Sequence, residues 1–206
     1  MKRTAAALST LALIAGLSAC SGESETAAPE SPATSADGTA SGEELPDEVA
    51  SALSDLGVEG DDVRDVITSL DRLDQERPLP VQGSVRTDEV IFSTADTGEV
   101  AVPIPGDEVY ISVAPYVDST HDCFYHALGG CQGELVGEEV SVTITDDAGE
   151  TLVQEDATTY TNGFVGFWLP KDVTGTVSIT HDGMSGEVPF DTSDEGATCI
   201  TTLQLS

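Results

Sequence analysis

Apolar positions recur along the chain in two rhythms, and the change falls near residue 80. Leu45, Val49, Leu53 and Leu56 repeat at helical spacing, with Pro46 suited to a first helical turn and Gly57 to a C-terminal stop. A second stripe of Val63, Val66, Ile67, Leu70 and Leu73 predicts another helix, beginning near Asp61 as N-cap and ended by Pro78 and Pro80. Together they make a helical hairpin over residues 45–80. One hairpin cannot bury both stripes alone, so it must pack on the rest of the chain or on a second copy.

From Val81 onward the period shortens to that of strands. Val90–Phe92, Val100–Ile104, Val109–Val117 and Val140–Ile144 are apolar or alternating runs. Thr151–Gln154, Phe164–Leu169, Val177–Ile179, Val188–Phe190 and Cys199–Leu205 follow, with turn signals at Asp146–Gly149 and Gly183–Gly186. Many short strands with regular turn signals predict a mainly β domain over residues 81–206, a small antiparallel β-sandwich or barrel-like unit. Trp168, the only tryptophan, sits in the most apolar run and reads as core.

The N-terminal residues follow neither rhythm. Lys2 and Arg3 precede an apolar stretch, Ala5–Leu17, that is too short to span a bilayer. It ends in Leu17-Ser18-Ala19-Cys20, which resembles the bacterial lipobox. Residues 1–19 thus read as a lipoprotein signal peptide and Cys20 as the lipidated residue, giving an extracytoplasmic protein anchored to the cell membrane rather than spanning it. Residues 20–44 form a flexible tether, since beyond Cys20 they hold no aromatic or β-branched aliphatic side chain to bury.

Charge narrows the partner. Seven Lys and Arg stand against 38 Asp and Glu, for a net charge of -31. So few cations cannot build a nucleic-acid interface, nor hold the folded surface to anionic headgroups. Losing Lys2 and Arg3 with the leader leaves 5 basic against 38 acidic residues, or -33. The β region alone holds 22 acids against Arg86 and Lys171. Such a surface favours a cation as partner. The acids are scattered and match neither a calcium loop nor a catalytic pair, and there is no phosphate loop or nucleophile elbow.

The soft ligands decide which cation. His121, Cys123, His126 and Cys131 fall within eleven residues, and Cys199 lies 68 residues further on, on the last predicted strand. Thiolates suit Cu(I), zinc and iron–sulfur clusters, and imidazole suits copper and zinc. His181 is a weaker candidate, because His181-Asp182-Gly183 reads as a hairpin turn. Two other readings of the same residues stay open. Exported thiols commonly oxidise, so any two of the three cysteines could form a disulfide, leaving one free thiol in a β-sandwich binding module without metal. A structural zinc site is the other, although seven residues between Cys123 and Cys131 exceed the usual spacing.

These residues also carry a resemblance. Ala114-Pro115-Tyr116-Val117, Thr120–His126 and Cys131-Gln132-Gly133-Glu134-Leu135 resemble segments of the CueP-type periplasmic copper-binding proteins, as do Asn162–Pro170 and Thr198–Leu203. The similarity spans roughly residues 45–206, outside the signal and tether. It implies a small helical part, a β-rich domain, and copper held by three cysteines at positions 123, 131 and 199 with nearby histidines. It further implies a role in copper tolerance or delivery to envelope cuproenzymes, and a homodimer through the helical part. Reduction of Cu(II) to Cu(I), with a thiol reductant as partner, is also attributed to such proteins. Many relatives are soluble in the periplasm, so the lipobox is a departure.

Overall fold

Residues 45–60 and 62–206 are described by the computed structural model; the expected signal peptide, Cys20, the expected tether and Asp61 lie outside the described residues. Two helices open the described chain, α1 (Asp47–Asp55) and α2 (Val63–Asp71). The cap of α2 is Asp62, whose carboxylate accepts the N–H groups of Arg64 and Asp65 at 2.8 and 3.0 Å. The helix ends at Asp71, earlier than the prolines suggest. Arg77 reaches back and donates to the carbonyls of Leu70, Asp71 and Leu73, satisfying acceptors that the helix end leaves open. The guanidinium also brings positive charge to the negative end of the helix dipole.

Ten strands follow: β1 (Gln82–Val85), β2 (Glu89–Ser93), β3 (Val100–Pro103), β4 (Glu108–Val113), β5 (Glu139–Asp146), β6 (Thr151–Thr158), β7 (Val165–Pro170), β8 (Thr174–His181), β9 (Met184–Asp191) and β10 (Cys199–Ile200). They form three sheets in the orders β1-β2-β3, β10-β4-β7 and β6-β5-β8-β9. The pairs are antiparallel except β10 on β4, which is parallel. The mainly β class with a short helical region therefore stands.

Alternation explains the layering. Val109, Ile111 and Val113 of β4 and Val165, Phe167 and Leu169 of β7 share one buried cluster with Val142 and Ile144 of β5 and Val177 and Ile179 of β8. Two sheets thus pack face to face as a sandwich. The first sheet closes a second cluster with the helices, in which Val49, Leu53, Val66, Ile67 and Leu70 pack on Val81, Val85, Val90 and Phe92. Packing on the rest of the chain, one of the two solutions the stripes allow, covers them.

β4 is buried on both faces. Its odd residues enter the sandwich, while Tyr110 and Ser112 point toward α2 and hydrogen-bond Asp71.

Three boundaries differ from the pattern. The ladder after Ala114 is interrupted by Pro115, which has no N–H to give, so β4 stops at Val113 rather than Val117. The chain end likewise holds only two ladder residues, Cys199 and Ile200, before the isolated bridge Tyr116–Gln204. Met184, Ser185 and Gly186 belong to β9 because His181 pairs with Met184. Only Asp182 and Gly183 turn, at φ of 48° and 80°, as a two-residue hairpin loop requires.

Candidate metal centre

The segment carrying the first two cysteines has little regular structure of its own. It is held from both sides. Val85 N–H donates to His126 O and Leu128 N–H to Gly83 O, tying residues 126–128 to the edge of β1. On the other side, Thr198 and Cys199 N–H both donate to Phe124 O, at 3.0 and 3.1 Å. The Thr198 hydroxyl joins the two flanks. It accepts from His126 N–H at 3.0 Å and donates to Val85 O at 2.7 Å. Upstream, the Glu134 carboxylate accepts the backbone N–H groups of Val117, Asp118 and Ser119, and Thr120 Oγ1 donates to Thr201 O. Gly129 is needed where the loop turns, since a Cβ there would sit 2.3 Å from Val81 O.

This scaffold gathers five of the six predicted ligands. The ligand atoms of His121, Cys123 and Cys131 lie within 4.8 Å of one another, and so do those of His126, Cys131 and Cys199. Cys131 belongs to both groups. The Cys123 and Cys131 sulfurs are 3.5 Å apart, and all three cysteines are free. Accessibility falls inward: His121 is exposed and Cys123 half-buried, while Cys131, Cys199 and His126 are buried. His181 stands apart at the end of β8, with its Nδ1 2.9 Å from Glu139 O, and joins neither group.

His126 is fixed by a residue that the sequence reading passed over. Its Nε2 lies 2.8 Å from Asp71 Oδ1, with both side chains fully sealed from solvent. Tyr110 OH, Ser112 Oγ and Asn162 Nδ2 also donate to the Asp71 carboxylate. Since Asp71 holds Nε2, the ring nitrogen left for the thiols is Nδ1, which is buried with no hydrogen-bond partner. An orphaned buried nitrogen beside two thiols fits a soft metal ion. The Phe164 ring contacts both imidazoles, with centroids 4.7 Å from His126 and 6.3 Å from His121.

Electrostatics follow the geometry. Burial alone would depress the His126 imidazole, but the charge and hydrogen bond of Asp71 raise it to about 9. Burial likewise opposes ionisation of Asp71. His126 and the donors around it outweigh burial and hold that carboxyl below its usual range. Hydrogen bonds from Cys123 and Cys199 pull the Cys131 thiol down, with neighbouring His126 adding to the pull against burial. The hydrogen bond to Cys131 in turn pushes Cys123 up to about 12, and contacts with Cys123 and Cys131 push Cys199 up. The shifts favour the ionised form at Cys131 and the neutral thiol at Cys123 and Cys199.

The family model described as periplasmic copper-binding protein CueP matches residues 65–204. The chain belongs to the CueP family. The crystal structure of S.CueP is 36% identical, with a TM-score of 0.72, covering 79% of this chain and 99% of that chain. No curated protein matches. The CueP family is periplasmic and copper-binding, and all six predicted ligands fall within the matched residues. Among the described residues no helix is long and apolar enough to cross a membrane.

Asp71 was not wholly hidden. It lies four residues after Ile67, on the buried stripe of α2, where a carboxylate is out of place unless it is paired. Thr198 and Glu134 act through backbone groups that meet only in the fold, and no local pattern marks them.

Proposed function

We propose that this chain is an envelope lipoprotein that binds copper as Cu(I) through Cys123, Cys131 and Cys199, with His126 and His121 as imidazole donors. The observation that carries this reading is the gathering of Cys131 and Cys199 at the unpartnered Nδ1 of His126, with the Cys123 sulfur 3.5 Å from that of Cys131. Soft sulfur donors favour Cu(I), whereas carboxylates would have suited calcium or magnesium. Anaerobic competition with a chromophoric Cu(I) chelator tests it. A Cys123→Ser/Cys131→Ser/Cys199→Ser variant should lose tight binding, and wild-type affinity in that variant would end the assignment. Parallel titration with Zn(II) separates the zinc alternative, which predicts the tighter complex with zinc.

A second activity at the same place is favoured by the 3.5 Å approach of Cys123 to Cys131. Two thiolates that form a disulfide release two electrons, enough to reduce two Cu(II) to two Cu(I), after which an external thiol reductant must restore them. Reduction that stops at one disulfide per chain marks a binding site with incidental redox chemistry. Sustained turnover with a thiol donor marks a reductase.

The lipid anchor rests on Leu17-Ser18-Ala19-Cys20. Cys20→Ser should release the protein from the membrane fraction, and retention there would refute it. We assign the bound copper to tolerance or to delivery to an envelope cuproprotein. A dimer through the helical hairpin would have to use its exposed residues, because Val49, Leu53, Ile67 and Leu70 are already covered.

A further inference from the structure

We propose that the centre comprises two Cu(I) subsites, an outer one of His121, Cys123 and Cys131 and an inner one of His126, Cys131 and Cys199, bridged by the Cys131 sulfur. The proposal rests on the copper reading above and goes beyond it in the number and placement of ions.

Geometry makes the division. Each group has its ligand atoms within 4.8 Å of one another, and Cys131 is the one residue common to both. Each offers two sulfurs and one imidazole, a set that satisfies Cu(I) without further ligands. A single ion seated in either group would leave out the sulfur of Cys123 or of Cys199. It would also leave one imidazole idle.

The two subsites differ in how they are built. The inner one is sealed: His126 is 0%, Cys199 2% and Cys131 9% exposed. Its imidazole is held by Asp71, so when copper binds, Nε2–H donates to the carboxylate and the Nδ1 lone pair faces the ion. The outer one opens to solvent through exposed His121 and half-buried Cys123. Phe164, wholly buried, touches both imidazoles.

Two ions bring the three thiolates closer to neutrality than one ion does. Two Cu(I) and three thiolates leave one net negative charge on the cluster. Metal replaces the thiol protons, which leave to solvent, and neither copper nor sulfur changes oxidation state. The sealed Asp71 carboxylate lies behind His126, and its own charge is held by hydrogen bonds from Nε2–H, Tyr110, Ser112 and Asn162.

The test is stoichiometry with a structural readout. Anaerobic Cu(I) titration of the reduced chain, followed by X-ray absorption, should give two ions per chain. Copper–copper scattering should be present in the fully loaded protein and absent at one equivalent. His121→Ala and Cys123→Ser, at exposed and half-buried positions, should each lower the stoichiometry from two ions to one and abolish the copper–copper scattering. Saturation at one ion, with no copper–copper scattering, overturns the bridged pair while the copper reading survives. Failure to bind any Cu(I) overturns both.

Discussion

Asp71 on α2 and His126 in the cysteine loop are 55 residues apart in sequence and 2.8 Å apart in space, with neither side chain exposed. The contact joins the helical part of the chain to the metal centre. It sets the tautomer of the ligating ring and neutralises a carboxylate that could not otherwise stay buried.

Replacing Asp71 separates its two duties. Asp71→Ala leaves Tyr110 OH, Ser112 Oγ and His126 Nε2 buried without their acceptor. It should cost about 3–5 kcal/mol, as breaking a buried ion pair does. Asp71→Asn keeps the shape and should cost less in urea unfolding, yet weaken Cu(I) binding by loosening control of the imidazole. Equal losses for the two variants would mean that the carboxylate only fills space.

The pH dependence of the reduced, metal-free protein should be flat between about 6.5 and 9. His126 is raised from 6.5 to about 9, so its contribution is complete below 6.5 and fades as pH rises through 9. Cys131 is lowered from 9.0, so its contribution grows as pH climbs toward that value. Between the two values the folded pair is imidazolium and thiolate while the unfolded pair is imidazole and thiol, and the proton counts match. Above 9, stability should fall, because Cys123 and Cys199 hold protons that the unfolded chain gives up. Cys131→Ser removes one half of the balance and should expose a decline across the flat window. A flat profile in that variant would refute the pairing.

Copper itself should stabilise the fold. Free Cu(I) at a hundredfold excess over its dissociation constant adds about 2.7 kcal/mol if the unfolded chain binds none. The urea midpoint should rise with Cu(I), return on adding a strong chelator, and rise less in His126→Ala than in His121→Ala. The reverse order for the two histidines would place the tighter ion at the rim.

The Thr198 hydroxyl gives a test of the scaffold without touching a ligand. Thr198→Val preserves shape but leaves His126 N–H and Val85 O without their partner. A loss of about 1–3 kcal/mol is expected for a buried group left unsatisfied. Gly129→Ala should cost a similar amount, about 1–3 kcal/mol, by overpacking against Val81 O. A neutral Thr198→Val would mean that the two flanks of the cysteine loop hold independently.

How far this was legible in sequence depended on the range of each signal. Ligand chemistry was visible because His121, Cys123, His126 and Cys131 cluster in the chain, and Cys199 is the one further cysteine outside the lipobox-like segment. Strands from Val140 to Phe190 were visible because a one-sided sheet writes alternation into its residues. The closing strand was overestimated, since the alternation of Ile200, Leu203 and Leu205 also suits an extended tail whose ladder bonds are few. Asp71 was obscured by its company: in a chain of 38 acids, the single buried one among the described residues is conspicuous only by its place on the helix. The division of the ligands into two groups depends on distances across the fold and has no local trace.

The cysteine loop borrows almost everything that makes it a site. Its imidazole is steered from α2, its third sulfur and its Thr198 clamp come from the chain end, and its aromatic backing is Phe164, just before β7. A synthetic peptide spanning residues 120–132 would carry His121, Cys123, His126 and Cys131, yet none of those supports. It would therefore bind soft metals as a flexible chelator. Transplanting the motif to another protein would move the ligands and leave the site behind.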